Sequence, residues 1–275
     1  MSIAVIGLVG HSVFMEVPRF HEGGETVHAT SLHKEWGGKG FNQAVTVARQ
    51  GCDVDFLGAI HEDDQASLAA FEQKEDHLRL SVVLTRKPTA YAAILTNPQG
   101  ETRVTVYPGA TLEPGDVDAF EASIKKADFL LLNNEVPEAV NLRAVELAQR
   151  HGTRILFNPA PARPLPEAIR QAVSLFTPNE FEVSALGDRV GKSVVMTLGA
   201  RGCRIDATGE VIPAPRYGTA VDTTGAGDVF NGVLAVRLAA GDTLSEACAA
   251  ANAAAAQSVT RHFVLPSIPK VGGLA

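Results

Sequence analysis

With 275 residues, 45% hydrophobic and 20% charged, the chain can build one large folded domain and is not charged enough to be disordered. A formal net charge of −7 argues against nucleic acid as a partner, because phosphate binding needs a basic face. No apolar run approaches the ~18 residues of a membrane span, and three scattered cysteines (Cys52, Cys203, Cys248) suit neither a disulfide framework nor a zinc site, which points to a reducing cytoplasm.

In chain order, Ile3–Ile6 reads as a buried strand and not as a signal peptide, since no basic segment precedes it. Val13–Val17 and Thr26–Leu32 follow as extended segments with no intervening helix. A helical pattern over Phe41–Gln50 stops at Gly51, a natural helix-ending residue, and Val54–Leu57 is the next buried strand. Ala90–Thr96 and Thr102–Tyr107 flank Asn97-Pro98-Gln99-Gly100, a hairpin turn signal. Buried strands are then expected at Phe129–Leu132, Arg154–Phe157, Ser174–Phe176 and Val194–Leu198, with a helix over Glu138–Arg150 that stops just before Gly152. Pro159 to Pro166 is a stiff connection. Thr243-Leu-Ser-Glu246 forms a capping box that opens an alanine-rich helix through Ser258. Strands alternating with helices predict an α/β fold: a doubly wound, mostly parallel sheet flanked by helices. The four extended segments at 12–34 and 88–108 form either a small separate sheet or edge strands of the main one.

The stretch Asp222-Thr-Thr-Gly-Ala-Gly-Asp228 carries the most chemistry. Gly225, Ala226 and Gly227 run into a helical apolar pattern (Val229, Phe230, Val233, Leu234), which puts them at a helix N-terminus. Unpaired N–H groups and the positive end of the helix dipole favour an anion there. A carboxylate in the same first turn, Asp228, suits a base that takes a proton while negative charge is held beside it. The plain alternative is a glycine-rich turn followed by an ordinary acidic helix start. Gly7-Leu-Val-Gly10 raises a dinucleotide-binding reading, but that fingerprint needs a helix after the glycines and Val13–Val17 looks extended. There is no Walker-type motif, so Lys39 is not a P-loop lysine.

Asp222–Asp228 resembles the signature of the ribokinase-like carbohydrate kinases, the PfkB family. Gly37-Gly38-Lys39-Gly40-Phe41-Asn42-Gln43-Ala44 is similar to that family's N-terminal signature, and Thr177-Pro-Asn179-Glu-Phe-Glu182 to its central motif. Asn158-Pro-Ala-Pro-Ala-Arg163 and Ser258-Val-Thr-Arg261 add to the likeness, and the matches keep the family's order along nearly the whole chain. The resemblance implies a single kinase domain over 1–275 with a β-sheet lid over the sugar site that often serves as a dimer contact. The implied reaction is ATP-dependent phosphorylation of a hydroxymethyl group on a sugar or sugar-like substrate. In that reading Asp228 is the general base and Gly225, Ala226 and Gly227 form the anion hole. Gly10, Ser12, Gly38, Lys39, Asn42 and Glu135 occupy substrate-contacting positions. Asn179, Thr197, Gly199, Gly202 and Asn252 occupy nucleotide positions. Glu182 organises magnesium through water, and Asp222, the Thr224 carbonyl and Ser267 match a potassium site. Three of these have a plainer reading as well: Asn42 as a surface helix residue, Glu182 as a solvated acidic helix start, Asn252 as a chance asparagine.

The sequence departs from the family in three places. Gly10-His11-Ser12 replaces an Asn-x-Asp pattern whose carboxylate grips sugar hydroxyls, which removes a charge-assisted contact. His11 either reaches the substrate itself or is structural. His262-Phe263-Val264 stands where a Gly-Ala pair is usual, which bears on potassium activation. The segment between Glu182 and Val194 is shorter than usual. These departures leave open a nucleoside or other non-ribose kinase and a catalytically silent sugar- or nucleotide-binding protein.

Overall fold

A computed structural model describes residues 1–187 and 193–271; the shortened segment after Glu182 lies partly outside the described residues. The strands of the main sheet are β1 (Ser2–Ile6), β4 (Asp53–His61), β5 (Leu78–Thr85), β8 (Phe129–Asn133), β9 (Arg154–Asn158), β10 (Leu175–Phe176), β11 (Ser193–Thr197), β12 (Cys203–Ile205) and β13 (Glu210–Ile212). They lie in the order β13-β12-β11-β10-β9-β8-β1-β4-β5. Every pairing from β11 to β5 is parallel, and β12 and β13 are added antiparallel at one edge.

Alternation along the strands feeds two cores, one on each face. Ile3, Val5, Phe56, Phe129, Leu131 and Leu156 face one core with α1 (Lys39–Arg49), α2 (Gln65–Glu72), α7 (Ala226–Ala239) and α8 (Leu244–Ser258). Ala4, Ile6, Leu57, Leu130, Leu132 and Phe157 face the other, covered by α3 (Pro114–Ala119), α4 (Glu121–Lys126), α5 (Glu138–His151) and α6 (Glu167–Ala172). Each Val, Leu, Ile or Phe among them, fully buried, contributes roughly 1.5–3 kcal/mol. The doubly wound architecture expected from the sequence is what forms. Helix ends also follow local chemistry: Gly152 is left-handed at φ 72 after α5, and the Thr243–Glu246 capping box is made in both directions.

The chain leaves β1 for β4 and β5 on one side, then returns to β8 on the other. This reversal opens a crevice beyond the carboxyl ends of β1 and β8, where ligands bind in open α/β sheets. Gly7 and Gly40 meet there backbone to backbone. A Cβ on Gly7 would sit 2.6 Å from the Gly40 α-carbon, so the N-terminus of α1 reaches the crevice only because both residues are glycine.

The remaining strands, β2 (Gly10–Glu16), β3 (Ser31–Gly37), β6 (Ala90–Thr96) and β7 (Thr102–Tyr107), form a separate four-stranded sheet ordered β3-β2-β6-β7. The hairpin at Asn97–Gly100 forms as expected, with the Gly100 N–H donating to the Asn97 carbonyl at 2.9 Å. The expected strand Thr26–Leu32 is displaced to Ser31–Gly37. Register explains the shift: β2 pairs with β3 from Gly10↔Gly37 to Glu16↔Ser31, and Pro18–His28 is a largely exposed loop with no partner strand. Because Gly10 opens a strand and not a helix, the dinucleotide fingerprint has no structural support.

Among the described residues, no helix is long and apolar enough to cross a membrane.

Candidate active site

Gly225 caps α7 with φ 77, a left-handed conformation that favours glycine, and a Cβ there would meet Val264 Cγ1 at 2.5 Å. The Ala226 N–H makes a long 3.3 Å bond to the Thr223 carbonyl. Among the described residues the N–H groups of Gly225 and Gly227 have no acceptor, and the space beside Gly227 is open. These are the orphan donors of a helix start, suited to an anion.

One turn on, Asp228 is only 6% exposed, so it is not a solvated helix-start residue. Its Oδ2 accepts from Asn42 Nδ2 at 2.9 Å, and its Oδ1 accepts from Gln43 Nε2 at 3.3 Å. Burial raises its pKa above the ordinary carboxylate value, while the Lys39 charge and the two amides pull it back. The amides arrive because α1 packs closely on α7: a Cβ on Gly232 would lie 2.6 Å from Thr46 Cβ.

Lys39 and Glu135 form the facing wall. The Lys39 backbone N–H donates to Glu135 Oε2 at 2.7 Å, and the Glu135 N–H donates to Asn133 Oδ1 at 2.9 Å. Burial pushes Glu135 up to about 7, with Lys39 opposing and Asp228 reinforcing. The Lys39 ammonium is held above its ordinary value by Asp228 first, then by Glu135 and Glu182, against desolvation. One cation thus faces a cluster of carboxylates. Gly38, with φ 106, brings the backbone against the Leu8 carbonyl, where a Cβ would sit 2.3 Å away. The buried Asn42 Oδ1 has no partner among the described residues, leaving an acceptor for a ligand hydroxyl.

The next wall is built beyond β10. Asn179 N–H and Nδ2 donate to the two Glu182 oxygens at 2.9 and 3.0 Å, and Asn179 Oδ1 accepts from the Glu182 N–H at 2.8 Å. Burial raises the Glu182 pKa, and it lies close enough to Lys39 to feel its charge. Thr197 ends β11 and bridges to Asn179. Gly199 and Gly202 close a tight turn at φ 57 and 93, and a Cβ on Gly202 would meet the Ile212 carbonyl at 2.1 Å. Asn252, on α8, is 4% exposed and donates to that same carbonyl at 2.8 Å. Its amide therefore holds the turn and β13 together.

At the front, Gly10 packs on β6, where a Cβ would lie 2.4 Å from the Ala90 carbonyl. Ser12 Oγ points at Gly37, at 2.2 Å from where a Cβ would stand. Strand alternation sends His11 to the opposite face, where its ring packs against Trp36 with centroids 4.4 Å apart and it pairs with Asp64 at 3.2 Å. These contacts give His11 structural partners in Trp36 and Asp64.

Asp222 bridges two loops. Its Oδ1 accepts from the Thr224 N–H at 2.9 Å and its Oδ2 from the Phe263 N–H at 3.0 Å. Ser267 Oγ donates to the Val264 carbonyl at 2.7 Å. Phe263 adopts the left-handed conformation at φ 66, which costs a non-glycine residue about 1–2 kcal/mol.

Sequence reasoning left Gln43, Asn158 and Glu35 unassigned. Gln43 Nε2 lies 3.4 Å from Asn158 Oδ1 as well as touching Asp228. The signal was available: α1 is buried from Gly40 to Ala48, so polar residues on it need polar partners inside. Glu35 carried no such signal, since alternation alone does not say which face of a half-exposed strand meets a distant loop.

Comparison with known proteins shows the family and the fold. The profile of the pfkB family carbohydrate kinases matches residues 2–271. The chain is 32% identical to the ribokinase of Staphylococcus aureus (strain COL), over 97% of this chain and 96% of that protein. It superposes on the ribokinase of Thermotoga maritima with TM-score 0.86 at 33% identity, covering 100% and 98% of the two chains. A ribokinase from Cryptococcus neoformans var. grubii serotype A in complex with ADP matches with TM-score 0.84 at 25% identity, over 99% and 97%.

Proposed function

The chain belongs to the pfkB family of carbohydrate kinases, enzymes that phosphorylate an alcohol group, and from that premise we propose that it transfers the γ-phosphoryl group of ATP to the hydroxymethyl group of a ribose-type sugar. The observation that carries the proposal is the buried Asp228 carboxylate, aligned by Asn42 and Gln43 one turn inside a helix start with free N–H groups. In this reading Asp228 accepts the hydroxyl proton as the sugar oxygen bonds to the γ-phosphorus. The bond from that phosphorus to the bridging oxygen breaks, and ADP leaves. The N–H groups of Gly225, Ala226 and Gly227 hold the charge that develops on the transferring group.

Lys39, Asn42 and Glu135 orient the sugar, with the free Asn42 Oδ1 accepting from a hydroxyl. The nucleotide lies along Asn179, Thr197 and the Gly199–Gly202 turn. Asn252 supports that turn from behind. Glu182 is the carboxylate suited to hold magnesium through water. One carboxylate is enough for that role, because magnesium usually keeps several of its waters. An ion held there would neutralise phosphate charge. Asp222 already accepts from the N–H groups of Thr224 and Phe263, and Ser267 Oγ donates to the Val264 carbonyl within its own turn, so the reading requires no potassium.

The small sheet exposes Leu32, Tyr91, Val104, Val106 and Tyr107, and we place a homodimer contact on it. A mass of two chains by light scattering checks this. The substitution of Gly10 and Ser12 for a hydroxyl-gripping pair favours a second reading, a substrate other than free ribose such as a nucleoside. An ADP-release screen over pentoses, hexoses and nucleosides, in potassium and in sodium, tests both. ATP-dependent turnover of ribose supports the first, and turnover of nucleosides alone supports the second. Ligand binding with no turnover on any alcohol refutes the kinase proposal.

A further inference from the structure

The loop Phe263–Leu265 presents three consecutive N–H groups to two carboxylates. Phe263 donates to Asp222, while Val264 and Leu265 donate to Glu35 Oε1 at 2.9 and 3.4 Å. Glu35 belongs to β3 of the small sheet, and its other oxygen takes His33 Nε2 at 3.2 Å. The His33 ring stacks on Phe263 with centroids 3.7 Å apart and planes at 14°, and Phe14 of β2 meets Phe263 edge-on at 5.3 Å. The small sheet therefore grips this loop by charge and by ring contact.

The gripped loop lies against the N-terminus of α7. Val264 covers the α-carbon of Gly225, the first residue of the orphan N–H set. Asp222 joins the same two loops from the other side through Thr224 and Phe263. β3 ends at Gly37 and runs directly into Gly38 and Lys39. One strand thus carries both the substrate wall and the support behind the anion hole. Orienting N–H groups before charge develops is what makes such a hole effective.

We propose that Glu35 is a positioning residue for phosphoryl transfer, acting through Val264 to hold Gly225 in its left-handed conformation. This rests on the kinase reading above. A carboxylate this enclosed is kept only where its bonds are satisfied, and the bonds it makes are to this loop and to the ring that stacks on it.

The test compares Glu35→Ala, Glu35→Gln, Val264→Ala and the Glu35→Ala/Val264→Ala pair, with kcat, both KM values and Tm measured for each. Glu35→Ala is expected to lower kcat about tenfold or more, with the KM values within about threefold of wild type, because the defect lies in transition-state alignment. Glu35→Gln keeps an acceptor oxygen and should recover most of that loss. Val264→Ala should lower kcat as well, and the pair should lose less than the product of the single effects, the mark of one shared route. A Glu35→Ala enzyme with a lowered Tm and unchanged kcat would overturn the proposal, leaving Glu35 as a tie between sheets. Multiplicative losses in the pair would overturn it too. Should Glu35→Ala not fold, Val264→Ala decides: unchanged kcat overturns the idea. Failure of the kinase reading itself shows separately, as a wild-type protein that releases no ADP with any alcohol.

Discussion

Replacing Gly232 by alanine adds one methyl group where α7 meets α1, and its consequences reach the reaction centre. The new Cβ would stand 2.6 Å from Thr46 Cβ, 2.7 Å from Thr46 Cγ2 and 3.0 Å from the Gln43 carbonyl. Ordinary carbon contacts lie at about 3.5–4.0 Å, so the helices must part by about 1 Å. Asn42 and Gln43 ride on α1, and the Asn42–Asp228 bond of 2.9 Å would open toward about 3.9 Å, beyond hydrogen-bond range. Alanine stabilises a helix interior over glycine by about 0.5–1 kcal/mol, whereas overpacking a tight core costs about 1–3 kcal/mol. The expected balance is a net destabilisation of about 0.5–2 kcal/mol by urea denaturation. Steady-state kinetics should show kcat reduced by about 10- to 100-fold, the scale of an ångström-sized misplacement. A Gly232→Ala enzyme that is more stable and fully active would show that this contact does not align Asp228.

Three further outcomes follow from the geometry. Glu135 has a raised pKa, about 7 against an ordinary 4.5, so its neutral form favours the fold. That contribution is complete below pH 4.5 and is lost as pH rises through about 7, on the order of 3 kcal/mol in all. Glu135→Gln should therefore gain stability relative to wild type between pH 5 and pH 8 in denaturation curves, and a constant difference across that range would count against the burial argument. Gly225→Ala must hold a Cβ at φ 77 and 2.5 Å from Val264, so kcat should fall steeply and stability by about 2 kcal/mol or more; intact turnover would show that the turn relaxes freely. His11→Ala removes the Trp36 ring contact and the Asp64 pair on the far face of β2, and should cost about 1 kcal/mol of stability while leaving kcat and the sugar KM nearly unchanged. A large rise in sugar KM would put His11 back in the substrate site.

Much of the fold was legible because both faces of the parallel strands are buried, so segments such as Ile3–Ile6 and Phe129–Leu132 read as short unbroken apolar runs. The edge strands were not: Leu78–Thr85 alternates with polar and exposed residues, and Glu210–Ile212 is too short to carry a pattern. β3 was misplaced because its position depends on register with β2 and not on its own composition. At the site, Asp228, Asn42 and Lys39 stand in compact motifs, and the fold brings the three together. Glu35 was not, because it acts on a loop 229 residues away in sequence. Pairings of that kind belong to topology, and a local pattern holds no trace of them.

The most direct measurement is single-turnover phosphoryl transfer by Asp228→Asn on the best substrate from the ADP-release screen. Asn removes the proton acceptor and keeps the shape, and its NH2 is accommodated when the Asn42 or Gln43 amide turns its unpartnered oxygen toward it. Because burial raises the Asp228 pKa, its charged form weakens the fold as pH rises, so the neutral variant should melt no lower than wild type at pH 8. The expected result is a folded protein whose chemical step is slower by roughly 10²-fold or more. A folded Asp228→Asn enzyme with the wild-type rate would contradict the assignment of Asp228 as the base.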